Sequence, residues 1–401
     1  MCETQPGQPA ARERPAPAVY VHIPFCPSRC DYCAFATWTD RHELRSAYTD
    51  ACLRHIAEVQ RQPADTVYLG GGTPSQLATA DLLRLLEAID TAPAAEITVE
   101  ANPEDVSPQW ALAAAEAGAT RISLGVQSLD AHVLRGLGRR HDPAAARSAV
   151  AAIAAAGITS YSVDLIYGGA GETDGSWRAT IKGILGLEPA PTHVSAYALT
   201  VEAGTPLSRD PARHPDEDVQ AARYEIADRM LADAGLEWYE ISNWARLGQE
   251  SRHNLNYWLQ GDYLAIGAAA HGHLDGRRWW NLRTPERYIG AVERGDDPVA
   301  ASEHLDPAQR AFEALELSLR TSHGVPAAAL PLGEDPAFDR LVTPAPDKSD
   351  RVVLTLTGRL LANQVALRLR IPPPAVPTHG SGHSDGSGHS GHRAHLLSQI
   401  T

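Results

Sequence analysis

The segment YVHIPFCPSRCDYC, residues 20–33, joins an apolar run to three cysteines, Cys26, Cys30 and Cys33, in the spacing C-x3-C-x2-C. Residues 18–24 are rich in β-branched and aromatic side chains, which is typical of a buried strand. The cysteines therefore fall in the loop after the first predicted strand. In barrels built of alternating strands and helices, the loops at that end of the strands carry the chemistry.

The same strand-then-helix unit recurs six times along the chain. The predicted strands are residues 18–24, 66–71, 96–102, 121–127, 161–168 and 193–200. The predicted helices are residues 42–62, 79–90, 107–117, 143–156, 175–187 and 216–234. A full barrel of this type has eight units. Six units predict an α/β fold with a parallel sheet that closes only in part, a partial (β/α)6 TIM-like barrel.

The pattern changes after about residue 245, where aromatic residues cluster and the alternation stops. Helical segments are predicted at 284–294 and 306–320, and residues 352–370 predict a strand and then a helix, with a turn at Thr357–Gly358. We expect a smaller C-terminal α+β, winged-helix-like domain. The predicted divisions are a flexible N-terminus at 1–17, the barrel at 18–245, the second domain at 246–370 and a disordered tail at 371–401.

The tail is rich in Pro, Gly, Ser and His, a composition that cannot bury a core. Its histidines among Gly and Ser include His379, His383, His389, His392 and His395. Such tracts can bind metal weakly, and solvated disorder is the interpretation we prefer.

Composition excludes several classes of protein. The net charge of −14 over 401 residues argues against nucleic acid as a partner, because phosphate binding requires clustered Lys and Arg. No apolar run approaches the roughly 20 residues that span a bilayer, and the first 19 residues lack the apolar core of a secretory signal. Five cysteines, three of them within eight residues, argue against a disulfide framework. We expect a cytoplasmic protein with reduced thiols, which meets membranes only through its partners.

Three cysteines in one loop suit an iron–sulfur cluster. A cubane has four ligand positions, so three thiolates leave one iron open. That iron can chelate the amino and carboxylate groups of S-adenosylmethionine (SAM), whose sulfonium then accepts an electron from the cluster. The alternative is three unrelated thiols or a zinc site with His22 as a fourth ligand, although structural zinc sites usually take four ligands in paired halves. Cys52 is expected in the core, and Cys2 lies in the flexible N-terminus.

Polar residues follow the next strands at their ends. Residues 70–74 (GGGTP) end the second strand, and their bare N–H and C=O groups can approach a carboxylate and an amine. Glu100, Gln127 and Asp164 lie in or near the ends of the third, fourth and fifth strands. Because a polar residue recurs on successive strands, we favour a ligand shared by all three. The alternative is that each is hydrogen-bonded within the core or caps a helix. Arg139 is placed to contact a carboxylate, with a surface arginine as its alternative.

Four segments, residues 20–33, 70–74, 125–142 and 163–169, resemble the oxygen-independent coproporphyrinogen III oxidase-like branch of radical SAM proteins. The resemblance extends over about residues 18–370. It implies that Cys26, Cys30 and Cys33 ligate a [4Fe–4S] cluster. The residues that it places around SAM are Tyr20, Tyr32, Gly71, Gly72, Thr73, Glu100, Gln127, Arg139, Asp164 and Ala198.

Within that branch, two later segments resemble the HemW-type haem chaperones. They are residues 239–245 (YEISNWA) and 250–258 (ESRHNLNYW). The family motif His-Asn-x-x-Tyr-Trp is associated with haem, which implies His253 as a haem ligand with Tyr257 and Trp258 as flat apolar surface. The alternative is a structural histidine in an aromatic-rich turn. His271 either lines the SAM or haem pocket or is satisfied by nearby backbone.

Three functions follow from these residues. The preferred one is a chaperone that holds haem, a [4Fe–4S] cluster and SAM and passes haem to acceptor proteins, with an electron donor if SAM is reduced. The second is the oxidase itself, a radical enzyme that decarboxylates coproporphyrinogen. Two differences disfavour it. The oxidase has a further cysteine two residues after the third, and this chain has Phe35 at that position. The oxidase also has a longer region before the cysteine motif than the 19 residues that precede Tyr20 here. The third is a non-catalytic scaffold with a three-cysteine metal site. No residue is assigned a catalytic role.

Overall fold

A computed structural model describes residues 16–346 and 348–372. Within these ranges, twelve strands form one large sheet. They are β1 (Ala18–Ile23), β2 (Ala64–Gly71), β3 (Thr91–Ala101), β4 (Arg121–Gln127), β5 (Ser160–Tyr167), β6 (His193–Ala198), β7 (Glu237–Glu240), β8 (Asn243–Ala245), β9 (Tyr263–Ile266), β10 (His271–Leu274), β11 (Arg277–Asn281) and β12 (Val299–His304). The predicted flexible N-terminus and histidine-rich tail lie mostly or wholly outside the described residues.

The helices pack against this sheet and against a smaller one. They are α1 (Arg45–Val59), α2 (Thr79–Ala88), α3 (Pro108–Glu116), α4 (Ala131–Gly136), α5 (Ala145–Ala155), α6 (Asp174–Leu185), α7 (Glu217–Asp233), α8 (Arg252–Trp258), α9 (Pro285–Arg294), α10 (Pro307–Leu319), α11 (Pro336–Asp339), α12 (Leu356–Leu360) and α13 (Ala362–Ala366). The smaller sheet holds β13 (Val325–Pro326), β14 (Val342–Ala345) and β15 (Lys348–Leu354).

The six predicted βα units are confirmed. Strands β1 to β6 are parallel and adjacent in chain order, and each predicted helix lies between the expected strands. The strand order of the described sheet ends at β12 and β7, so the six parallel strands form the centre of an open sheet. This arrangement is the partial barrel of the predicted fold class.

The parallel strands are buried because helices cover one face and the curved sheet encloses the other. In β1, Val19, Val21 and Ile23 are at most 1% exposed. A single apolar core joins these strands to α1, α2, α3, α5, α6, α7 and α9, with Trp177 and Trp244 fully buried in it. Burial on this scale stabilises the barrel by roughly 1.5–3 kcal/mol for each large side chain.

Six further strands extend the sheet beyond the predicted barrel. Strands β7 and β8 join the β6 edge antiparallel, and β9 joins β1 in parallel before β10 to β12 turn back. The large sheet thus takes in four strands that follow residue 245. The division of the chain at 245/246 stays a prediction.

The C-terminal region adds a small α+β unit. Its sheet has the order β13-β15-β14, and Val325, Phe338 and Val352 share a second apolar core with Leu319 of α10. The likeness to a winged helix stays a prediction. The predicted turn at Thr357–Gly358 is wrong, because both residues lie in α12, whose first turn is capped by the Thr355 side chain accepting the Gly358 N–H.

Candidate functional site

A cavity of about 950 Å³ opens among β1 to β6 and is bounded by the cysteine loop and by β9 to β11. All residues that the sequence predicts as ligands of the cluster, SAM and haem line it. These are Cys26, Cys30 and Cys33; Tyr20, Tyr32, Gly71, Gly72, Thr73, Glu100, Gln127, Arg139, Asp164 and Ala198; and His253, with His271 beside them. The volume is that of pockets which enclose small-molecule cofactors.

Backbone hydrogen bonds fix the cysteine loop at both ends. The N–H of Cys26 donates to the carbonyl oxygen of Trp38 at 3.1 Å. Further along, the N–H of Asp31 donates to the carbonyl oxygen of Leu137 at 3.1 Å, and the Asp31 carbonyl oxygen accepts from the N–H of Leu207 at 2.9 Å. The loop is therefore held against α4 and the segment after β6.

Two neighbours reach the cysteine sulfurs. The Thr73 hydroxyl donates to Sγ of Cys26 at 3.5 Å, and Nη1 of Arg139 donates to Sγ of Cys30 at 3.7 Å. Burial raises the pKa of Cys26, and burial raises the pKa of Cys33 to about 11. These thiols therefore keep their protons until a metal displaces them.

The donor set fits a cluster better than a single ion. The three cysteines are free thiols, and among the residues described no three His, Cys, Asp or Glu side chains converge on one ion site. Zinc would require its sulfur ligands at about 2.3 Å from one centre. In a cubane each thiolate binds a different iron, so the sulfurs stay apart. The zinc alternative with His22 is also disfavoured, because both ring nitrogens of His22 already bond to Tyr20 and Ala36.

The end of β2 lies directly against the cysteine loop. A Cβ on Gly72 would lie 2.7 Å from the carbonyl oxygen of Ile23 and 2.8 Å from that of Phe25, so only glycine fits. Gly71 has a φ of +106°, and its N–H donates to Oε2 of Glu100 at 3.0 Å. This close approach of two backbones brings the strand end beside the three thiols.

Glu100 projects from β3 into the cavity with its two oxygens accepting separate hydrogen bonds. Oε1 accepts from the Tyr68 hydroxyl at 2.7 Å, while Oε2 accepts from Gly71. Burial is the main cause that raises the pKa of Glu100 to about 7, with the Asp164 carboxylate as a further contributor. Near neutral pH this group can therefore hold or release a proton at Oε1 or Oε2.

Arg139 is not a surface residue, so that alternative is wrong. Its Nη2 donates to Oδ1 of Asn102 and to the carbonyl oxygen of Gly125, both at 2.7 Å. Gln127, at the end of β4, has a φ of +64°, which is uncommon for a side-chain-bearing residue. Such backbone conformations persist where the surroundings enforce them, often at binding sites.

A polar network covers the floor of the cavity. Asp164 accepts from Ser123 at 2.7 Å and from Ser162 at 2.9 Å, and Ser162 also contacts Nδ1 of His193 at 2.9 Å. His193 in turn contacts the Tyr239 hydroxyl at 2.8 Å through Nε2.

Apart from Asp164, the network was missed in the sequence. The sequence pattern that could have predicted this network is a polar residue at every second position of β4, β5 and β6. Side chains at alternate positions of a strand lie on the same face of the sheet. The polar residues are Arg121, Ser123, Ser162, Asp164, His193, Ser195 and Tyr197.

His253 lies at the other end of β2 from the cysteine loop. Its Nδ1 contacts the Thr66 hydroxyl at 2.9 Å, and its Nε2 contacts the Tyr257 hydroxyl at 2.8 Å. Thr66 and Gly71 are five positions apart along the strand, a distance of roughly 16 Å. The ring is 1% exposed and stacks on Tyr68 at 5.2 Å between ring centroids. This geometry matches the structural alternative, and haem ligation by His253 stays a prediction.

Trp258 differs from its predicted role. Its side chain is 3% exposed and does not line the cavity, whereas Tyr257 does. Tyr257 packs edge-on against Tyr263, with ring centroids 4.6 Å apart. The flat surface available to a porphyrin on this wall therefore comes from tyrosines rather than from Trp258.

Comparison with known proteins gives the relatives of this chain. The sequence profile of the radical SAM superfamily matches residues 20–184. A Mycobacterium tuberculosis protein named Heme chaperone HemW is 39% identical over 382 residues, covering 91% of this chain and 95% of that protein. The protein of the same name from Lactococcus lactis is 35% identical over 77% of this chain and 82% of its own length.

Among solved structures, coproporphyrinogen III oxidase (HemN) from Escherichia coli superimposes with a TM-score of 0.75 at 21% identity, over 89% of this chain and 91% of that one. At this identity the similarity shows the fold. In the part of the chain that the structure describes, none of the helices has the length and apolar character needed to cross a membrane.

Proposed function

Because the chain belongs to the Heme chaperone HemW family of the radical SAM superfamily, we propose that it binds haem and passes it to acceptor proteins. The superfamily implies a [4Fe–4S] cluster and SAM. When bound, the cluster supplies an electron that can cleave the sulfonium of SAM. The protein's part is to hold these groups in one cavity and to limit the access of water to them.

The observation that carries the proposal is that the three thiols and the His253–Tyr257 segment face one cavity. Cys26, Cys30 and Cys33 would hold the cluster at its mouth. Thr73 and Arg139, which already donate to two of the sulfurs, would keep those hydrogen bonds and so stabilise the thiolates. Tyr68, Tyr257 and Tyr263 form an aromatic wall beyond them, which suits the apolar face of a porphyrin.

The polar cavity floor and Glu100 would position SAM. The charged groups of SAM need partners where the cavity wall displaces their water. Glu100 offers two acceptor oxygens, and Asp164 offers a carboxylate held by Ser123 and Ser162. Arg139, at the same end of the strands, offers a guanidinium to a carboxylate.

Phe35 favours the chaperone over the oxidase. It lines the cavity beside the cysteines with 46% of its surface exposed, and its ring has no atom that could take the place of the oxidase's further cysteine. We therefore assign no decarboxylation to this site. The reduced thiols favour a cytoplasmic location. Haem acceptors, and an electron donor if SAM is cleaved, are the partners that this function requires.

Anaerobic titration of the reconstituted full-length chain with haem tests the proposal. We expect one haem per chain, and transfer to an apo-haem protein on mixing. A parallel incubation with coproporphyrinogen, SAM and a reductant should give no vinyl product. Failure to bind haem, or formation of protoporphyrinogen, would overturn the proposal. A chain with Cys26, Cys30 and Cys33 changed to Ala serves as the control without a cluster.

A further inference from the structure

Five histidines line the cavity, and any of them could bring an imidazole to a haem iron. They are His22, His193, His253, His271 and His273. A neutral imidazole ligates iron through one ring nitrogen that carries no proton and has no other partner. The hydrogen bonds of each ring therefore decide which histidine is free to act.

Three of the five rings have both nitrogens engaged. His22 bonds to Tyr20 and Ala36, His193 bonds to Ser162 and Tyr239, and His253 bonds to Thr66 and Tyr257, all at 2.8 to 3.0 Å. Each would have to break a hydrogen bond in a buried setting before it could bind iron, and that loss weakens haem binding.

His273 has one nitrogen free but cannot present it. Its Nδ1 bonds to the carbonyl oxygen of Gly261 at 3.1 Å, which leaves Nε2 without a partner among the residues described. The residue is only 4% exposed and lies on β10 opposite Arg278 and Tyr263. An iron held in a planar porphyrin needs open space in front of the nitrogen, and this ring is enclosed.

His271 differs from all of these. Within residues 16–346 and 348–372, no hydrogen bond or ion pair engages its ring, and the side chain is only partly buried. The ring stacks on Trp280, its cross-strand neighbour, with centroids 5.9 Å apart and planes at 26°. Burial lowers the pKa of His271 to about 4, with His22 and Arg278 as further causes, so the imidazole is neutral near pH 7. The alternative of a histidine satisfied by backbone is wrong.

We propose that His271, and not His253, is the protein ligand to the haem iron. This assignment rests on the proposed function, that the cavity receives haem. Stacking on Trp280 holds the ring in one orientation without engaging either nitrogen.

The surroundings of His271 suit the rest of a haem. Arg283 follows the same strand as Trp280, lines the cavity and makes no hydrogen bond or ion pair within the described ranges. It is a free cation for a propionate, since guanidinium groups bind carboxylates in a bidentate fashion. His271 also lies near the cysteine loop. Strand β9 runs parallel to β1, so both end at the edge of the sheet where the cysteine loop begins. Strand β10 is antiparallel to β9, so its first residue, His271, lies towards that same edge.

The test is titration of the full-length, reconstituted chain with ferric haem, comparing wild type with His271→Ala. We expect haem affinity to fall at least about tenfold, because even the loss of an outer-shell partner of a metal ligand costs that much. The Soret band and the electron paramagnetic resonance spectrum should lose the imidazole signature, and added imidazole should restore it. Affinity for metal-free protoporphyrin IX should not change, since that ring has no iron to ligate.

His253→Ala and the surface variant His304→Ala are the comparisons, and circular dichroism with a second variant, His271→Gln, controls for folding. The assignment is overturned if wild type binds haem and both His271 variants keep its affinity and spectrum, or if the imidazole signature is lost from folded His253→Ala instead. If wild type does not bind haem, the proposed function itself fails and the assignment falls with it.

Discussion

Arg213 donates a hydrogen bond from Nη2 to Oδ2 of Asp31 at 2.7 Å, across 182 positions of sequence. Asp31 lies between Cys30 and Cys33, so this ion pair ties the cysteine loop to the segment after β6. The same Nη2 also donates to the carbonyl oxygen of Gly136, which belongs to α4. One guanidinium therefore joins three segments of the molecule at the edge of the proposed cluster site.

Asp31→Ala and Arg213→Ala should each loosen that loop. Because the pair is only partly exposed, we expect the free energy of unfolding to fall by about 1–2 kcal/mol, measured by urea denaturation. The reconstituted cluster should also lose iron to a chelator several times faster. Glu334→Ala is the matched control, since it removes an ion pair to Arg370 of 3.1 Å that is about 60% exposed on both sides. Iron loss at the wild-type rate in both loop variants would show that the ion pair does not hold the loop.

Gly72→Ala tests the contact between β2 and the cysteine loop. The added Cβ would meet two backbone carbonyl oxygens, those of Ile23 and Phe25, which cannot rotate away. We expect a loss of about 1–3 kcal/mol in the free energy of unfolding and fewer iron atoms bound per chain. Gly175→Ala is the control, because the nearest atom to its Cβ would be 3.6 Å away, at ordinary contact distance. Equal iron content in the two variants would contradict the expectation.

Glu100 should make the stability of the chain depend on pH. In the folded chain its pKa is about 7, whereas an unfolded glutamate ionises near ~4.3, so folding favours the protonated form. Glu100 therefore adds its full contribution to the free energy of unfolding below about pH 4, and this contribution is lost as the pH rises through 7. Because the side chain opens onto the cavity, water screens part of it, and we expect about 1–3 kcal/mol.

Urea denaturation of the metal-free chain at pH 6 and pH 8 measures this effect. Wild type should lose more stability over that interval than Glu100→Gln, which cannot ionise. Glu87→Gln changes an exposed glutamate of α2, and this variant should lose as much stability between pH 6 and pH 8 as wild type does. If wild type and Glu100→Gln lost the same free energy of unfolding between pH 6 and pH 8, the pKa assigned to Glu100 would be contradicted.

The six parallel strands were predictable because each is a short apolar run bounded by helical periodicity. The strands that extend the sheet were not, since β9 and β10 have four residues each and β12 is almost wholly exposed. Segments this short carry too few positions to show alternation. The place of β9 is set by its pairing with β1, and β10 to β12 follow by pairing in turn, which no local pattern reveals.

The cysteines were predictable from spacing alone, and the cavity collects the positions that the family resemblance implies. The hydrogen bonds of His253 were not predictable, because its Thr66 partner lies 187 positions earlier in the chain. A sequence motif identifies the histidine but does not show which nitrogens are already engaged. His271 stands out only once β10 and β11 pair and leave its ring without a partner.

Tyr257→Phe separates the two histidines. It removes the hydroxyl that engages Nε2 of His253 at 2.8 Å, and leaves that nitrogen unpaired in a buried setting. We expect the free energy of unfolding to fall by about 1–2 kcal/mol, while the spectral signature of the haem ligand stays that of wild type. If His253 were the ligand, freeing Nε2 would instead strengthen haem binding. Tyr263→Phe, which removes a hydroxyl from the same wall without touching His253, is the control; tighter haem binding in Tyr257→Phe alone would favour His253 over His271.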